Sequence, residues 1–175
     1  MSIQEVISEL NRIQSEGLIS AYAVGGAVAA VAYIETGSTE DIDVFVIFAG
    51  EQAKTLAPLI LVWANLQLHG AIPQGERLVI GDWPVQFLPP GTPLYDEAIA
   101  GSQFLDFGGV EGRIMTAVHL AAIALATGRS KDYARVDEFI RRGKIDMDEL
   151  MTLIARHGLD ERWKTFQLRY PSQND

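Results

Sequence analysis

Residues 21–48 read AYAVGGAVAAVAYIETGSTEDIDVFVIF, and this stretch decides the fold. An apolar run, Ile19 to Val24, has the length and β-branched content of a strand. It ends in Gly25-Gly26, a pair that lets the backbone turn sharply and lets an anionic group approach the helix that follows. Ala27 to Ile34 carries small apolar residues suited to a helix packed closely on a sheet. Thr36-Gly37-Ser38 is turn chemistry. A second strand, Ile42 to Phe48, is apolar on both faces, as expected of a central, covered strand. Side chains two apart share one face of a strand, so Asp41 and Asp43 point the same way. Two neighbouring carboxylates repel each other unless a cation compensates. Such a pair suits Mg²⁺ or Mn²⁺ shared with the phosphates of a substrate.

The pattern Gly25-Gly26, a helix, and then Thr39-Glu40-Asp41-Ile42-Asp43-Val44-Phe45-Val46 resembles the nucleotidyltransferase superfamily, and most of all its AbiEii-type toxin branch. Thr127-Gly128-Arg129-Ser130-Lys131-Asp132 is similar to the GR-x-KD segment of that branch. The resemblance implies a small mixed β-sheet flanked by helices, an α/β (α+β) fold, with a helical C-terminal part. It implies that Asp41 and Asp43 hold the metal. It also implies nucleotide contacts from Gly25, Gly26, Ser38, Thr39, Arg129 and Lys131, with Asp132 as partner of the basic segment. In the family a third carboxylate on a neighbouring strand completes the catalytic set. Here that position falls to Gln86, which offers an oxygen but neither charge nor a proton-accepting group. Asp82, Glu40 and Asp106 are weaker candidates for the same role.

The whole chain has 175 residues and is 48% hydrophobic, enough to bury a core as one domain. Residues 1–112 are expected to form the nucleotidyltransferase-like core, 113–170 the helical part packed on it, and 171–175 a tail. The chain has no cysteine, which excludes disulfides and thiolate metal sites. The start of the chain lacks the basic region of a signal peptide. No apolar run is long enough to span a membrane. These features suggest a soluble, cytoplasmic protein. The net charge of −9 argues against an extensive nucleic-acid surface, which needs many cationic contacts. A local basic pocket for a nucleoside triphosphate remains compatible with it.

Outside the opening stretch, Ser2 and Glu5 form a capping-box pattern before an amphipathic helix that Gly17 closes. Pro58 is expected to start or break a helix running to Leu68. Arg77 to Ile80 and Val85 to Leu88 read as strands joined by a turn at Gly81-Asp82-Trp83-Pro84. A short helix over 94–100 and two extended pieces around Gly108-Gly109 follow. Helices are then expected over 117–127, 131–142, 147–157 and 160–166. His119, among apolar residues, is expected in the core. His69 and His157 lie near helix ends.

Three readings of function follow. In the first, the protein binds an NTP with Mg²⁺ (or Mn²⁺) and transfers a nucleotidyl group to a hydroxyl of RNA or protein; the resemblance implies a toxin beside an antitoxin protein as one form of that role, and the sequence does not select among the acceptors. In the second, prompted by Gln86, it keeps the fold and the nucleotide pocket but acts as a nucleotide-binding or regulatory partner. A glycosyltransferase using D-x-D is a third reading, for which the chain is short.

Overall fold

The computed structural model describes residues 3–34, 39, 41–50, 52–54, 57–89 and 91–171. Helix α1 (Ile3–Ser15) presents Val6, Ile7, Leu10 and Ile13 to the core at helical spacing. Strand β1 (Ile19–Val24) and helix α2 (Gly26–Ile34) follow, then β2 (Ile42–Phe48). A 3-10 turn at Gln52–Lys54 leads to α3 (Pro58–Leu68), whose proline occupies the first turn, where its missing N–H costs nothing. Strands β3 (Ile72–Gln74), β4 (Arg77–Ile80) and β5 (Trp83–Leu88) precede α4 (Pro93–Ala100). Strands β6 (Gln103–Asp106) and β7 (Glu111–Ile114) precede four helices, α5 (Ala117–Thr127), α6 (Ser130–Arg141), α7 (Met147–Arg156) and α8 (Asp160–Arg169).

The seven strands form one mixed sheet in the order β3-β4-β5-β2-β1-β7-β6. β2 runs parallel to β5, and β1 parallel to β7; the other pairs are antiparallel. β2 is thus central, as its two-sided apolar character requires. α1 covers one face, packing on β1, β5 and β7. α2 and α4 cover the other face, and α5 rests on both of them. α6, α7 and α8 pack on α5 in turn. Alternation along β2 sends Val44 and Val46 to the α1 side, while Asp43 and Phe45 face α4.

Local chemistry sets the boundaries. Thr92 caps α4 and Thr116 caps α5 through their hydroxyls. Asp146 accepts from the Asp148 and Glu149 amides at the start of α7, at 2.9 and 3.1 Å. Gly128 ends α5 in the left-handed conformation, with φ 72°.

Three differences from the sequence expectation have a local physical reason. β5 begins at Trp83, because Gly81-Asp82 alone makes the turn and Pro84 pairs with Val79 inside the ladder. β3 was not expected: it is a three-residue, fully exposed edge strand containing Pro73, so it carries neither alternation nor an apolar run. α8 extends past Phe166 to Arg169, since Phe166 packs against Tyr133 and Tyr170 and carries the last turn with it.

Candidate active site

A cleft of about 350 Å³ opens where β2 and β5 meet the N-termini of α2 and α6. Asp43 and Gln86 stand side by side on its floor, because the parallel register pairs these two residues directly. Asp41 lies one residue ahead of β2 and lines the same cleft. Gly26, Arg129, Lys131 and Asp132 line it as well. The two segments that the sequence separates by almost ninety residues therefore face one another.

Gly26 is required here on two counts. Its φ is +59°, and a Cβ added there would lie 2.0 Å from Asp43 Oδ2. Gly25 has a different role. It does not line the cleft, but its amide donates to the Asp43 carbonyl at 2.9 Å. A Cβ on it would meet the Phe45 ring at 2.5 Å. The glycine pair thus fixes the end of β1 against β2 and brings the start of α2 up to the Asp43 carboxylate. Thr39 is also set back, its hydroxyl donating to the Asp41 carbonyl at 2.7 Å. Ser38 and Glu40 lie outside the described residues. Asp82 and Asp106 do not line the cleft; the Asp106 carboxylate accepts from the Gly109 amide instead.

On the opposite wall, Arg129 binds Asp132 through two nitrogens, at 2.6 and 3.2 Å. The Asp132 side chain is 3% exposed and that of Arg129 is 60% exposed. The guanidinium therefore satisfies a buried carboxylate while keeping its outer edge in solvent. Lys131 and Arg135, one helical turn apart on α6, both turn into the cleft. Burial, with the Asp41 charge added, raises the Asp43 pKa above the ordinary range; Arg129, Arg135 and Arg77 pull it back.

Sequence reasoning missed Arg77 and Tyr95. Arg77 of β4 pairs with Asp41, Nη2 to Oδ2 at 2.6 Å. Tyr95 of α4 packs edge-on against Phe45 with ring centroids 5.0 Å apart, and forms part of the wall. Strand pairing brings Arg77 to the cleft and helix docking brings Tyr95, so neither leaves a local signal. Four cationic side chains (Arg77, Arg129, Lys131, Arg135) thus face three carboxylates (Asp41, Asp43, Asp132). In a chain of net charge −9, this is a local field suited to an anion.

In sequence, neither family models nor curated proteins give a match. In structure, the chain is similar to an antigenic nucleotidyltransferase-like protein from Paracoccidioides brasiliensis. The TM-score is 0.61 at 13% identity, over 97% of this chain and 89% of that one. The fold is nucleotidyltransferase-like. It is also similar to the antibiotic-resistance factor ANT(2″)-Ia in solution, with TM-score 0.53 and 16% identity over 95% of this chain and 96% of that one. The crystal structure of ANT(2″)-Ia with adenylyl-2″-tobramycin gives TM-score 0.50 and 16% identity, over 95% and 98% of the two chains. At such identities the likeness speaks for the fold alone, and the chemistry rests on the cleft.

The donor set of that cleft is hard oxygen: two carboxylates and the Gln86 amide. It suits Mg²⁺ or Mn²⁺, with phosphate oxygens and water completing the shell. Among the described residues no three His, Cys, Asp or Glu side chains converge to hold a metal by themselves. The histidines lie elsewhere. His69 bonds the Asn65 carbonyl, His157 pairs with Glu97, and His119 is buried at the start of α5. Among the described residues no helix is long and apolar enough to cross a membrane.

Proposed function

We propose that this cleft binds a nucleoside triphosphate with a divalent metal and transfers its nucleotidyl group to a hydroxyl of a second substrate. The observation that carries the reading is the meeting, in one cleft of a nucleotidyltransferase-like fold, of Asp41 and Asp43 with Lys131 and Arg135. Asp41 and Asp43 would hold the cation, which neutralises phosphate charge and orients the α-phosphate. Lys131 and Arg135 bind the phosphates from the opposite side, and the N-terminus of α2 at Gly26-Ala27 adds its partial positive charge. Phe45, Leu88 and Tyr95 form an apolar wall that limits water around the phosphates. The acceptor oxygen bonds to the α-phosphorus, the bond between the α-phosphorus and the bridging oxygen breaks, pyrophosphate leaves, and the hydroxyl proton is released. Gln86 beside Asp43 takes no part in that proton transfer, and its amide orients a sugar or acceptor hydroxyl.

The acceptor classes are an RNA end, a protein side chain, and a small hydroxylated molecule of the kind found adenylylated on ANT(2″)-Ia. The toxin role that the motifs imply would add an antitoxin protein, to be sought by co-purification. A second reading, a nucleotide-binding partner without transfer, is favoured by Gln86 in the row with Asp43. Calorimetric titration with each NTP, with and without Mg²⁺, tests both. Metal-dependent binding that is lost in Asp41→Ala/Asp43→Ala supports the site. Pyrophosphate release with an acceptor then separates transfer from binding alone. Binding unchanged in the double variant overturns the proposal.

A further inference from the structure

Arg77, Gln86 and Asp43 lie in one row across three neighbouring strands. β4 and β5 pair Leu78 with Val85, so Arg77 stands opposite Gln86 one step along. β5 and β2 pair Gln86 with Asp43. Leu78, Val85, Ile42 and Val44 are buried on the α1 side, which leaves Arg77, Gln86 and Asp43 on the cleft side. From the outer end of this row the Arg77 guanidinium reaches Asp41, Nη2 to Oδ2 at 2.6 Å. It therefore occupies a carboxylate oxygen that a divalent cation at Asp41 and Asp43 would use.

The charge on the cleft floor then limits what it accepts. Asp41 and Asp43 contribute −2, Arg77 contributes +1 and Gln86 nothing, a sum of −1. One divalent cation brings the floor to +1. A second would bring it to +3, a charge only the bound phosphates could balance, and Arg129, Lys131 and Arg135 already face these from the other wall. Paired ions in phosphoryl-transfer sites sit roughly 3.5–4 Å apart, where their repulsion is severe without bridging carboxylates. The described residues supply no third carboxylate on the floor, and Gln86 holds the place beside Asp43.

We infer that the site takes a single divalent cation per nucleotide and that the guanidinium of Arg77 supplies a second, tethered positive charge. Arg77 is a substrate-contact residue: it yields Asp41 to the cation and turns onto the phosphates when the nucleotide enters. Its planar fork matches phosphate oxygens, and its side chain, 46% exposed, has room to swing. This inference rests on the nucleotidyltransferase reading. An Arg77–Asp41 pair that merely decorated the surface would contribute little and would not respond to nucleotide.

The test is a Mn²⁺ titration of the whole chain, counted by electron paramagnetic resonance. It is made alone and then with the α,β-methylene analogues of the four NTPs, whose α–β linkage cannot be cleaved. The wild-type ternary complex is expected to hold one Mn²⁺ per chain. In Arg77→Gln, Mn²⁺ alone binds about twofold to fivefold tighter, because a competing cation has gone. Analogue binding in the same variant weakens about tenfold to a hundredfold, because a charge-assisted phosphate contact has gone. Arg77→Lys, which keeps the charge, stays near wild type in the first titration. Two Mn²⁺ per wild-type chain would overturn the inference and leave the nucleotidyltransferase reading standing, and that count needs no variant. Arg77→Gln moving both affinities in one direction, or neither, would do the same. No Mn²⁺-dependent analogue binding by the wild-type chain overturns both.

Discussion

A single methyl group at Gly26 tests how tightly the site is built. The position combines φ +59° with a Cβ place 2.0 Å from Asp43 Oδ2. Gly26→Ala must therefore strain the backbone and displace the carboxylate. The left-handed backbone alone costs about 1 kcal/mol, and the contact adds to it. Urea denaturation should show a loss of about 1–3 kcal/mol, and calorimetry should show Mg²⁺-dependent nucleotide binding weakened by at least about tenfold. An unchanged affinity would mean that Asp43 has no place in the site. At this scale the sequence was informative where chemistry is local. A glycine pair before a helix and two aspartates at alternating positions say what they need from the backbone, and Asp43 does face Gly26. Thr39 was expected as a nucleotide contact, but its hydroxyl is taken up by the Asp41 carbonyl, a short-range competition that composition does not reveal. Arg77 was not legible as a cleft residue at all, since only the β4–β5–β2 register carries it beside Asp43 and Asp41.

Among elements, α6 places the basic wall, and α8 holds α6. Phe166 of α8 is 3% exposed and packs edge-on against Tyr133 of α6, ring centroids 6.0 Å apart. It also stacks on Trp163 and Tyr170. Nearby, Arg169 donates to the Ser130 hydroxyl at 3.3 Å. Tyr133 is the residue after Asp132, so a shift of its ring moves the turn that carries Arg129, Lys131 and Asp132. Phe166→Ala should cost about 3–5 kcal/mol, the usual range for emptying a buried phenylalanine site. It should also weaken nucleotide binding, although Phe166 does not line the cleft. Phe166→Leu should recover most of both, because it refills much of the volume. A stability loss with native affinity in the folded fraction would show that α6 holds its place without α8. The four C-terminal helices were legible from their caps and glycine stops, since Thr116, Gly128 and Asp146 act within a few residues. The support of α6 by α8 was not, because stacked rings from separate helices leave no periodic trace.

For the molecule as a whole, stability at mildly acid pH turns on His119. It lies within the core at the start of α5, 7% exposed, with Nδ1 2.7 Å from the Thr116 hydroxyl and Nε2 lacking a partner among the described residues. Burial lowers its pKa below the ordinary histidine value of about 6.5. Glu97 and Glu149 oppose that shift, while His157 and Arg156 add to it. The unfolded chain therefore binds a proton that the native chain refuses. Stability is complete above about pH 6.5 and declines as the pH falls from there toward the lowered native value. The surroundings give this consequence beyond α5. Glu97 of α4 pairs with His157, Nε2 to Oε2 at 2.6 Å, and also with Arg156, so charging His119 would load an arrangement that ties α7 to α4. The urea midpoint of the wild-type protein should fall between pH 7.5 and pH 5.5. His119→Asn, which keeps a polar group beside Thr116 without a titrating ring, should flatten that dependence even if it lowers stability at pH 7.5. Equal pH dependence in the two proteins would assign the acid sensitivity to the carboxylates of this −9 chain instead, whose protonation alters every ion pair at once.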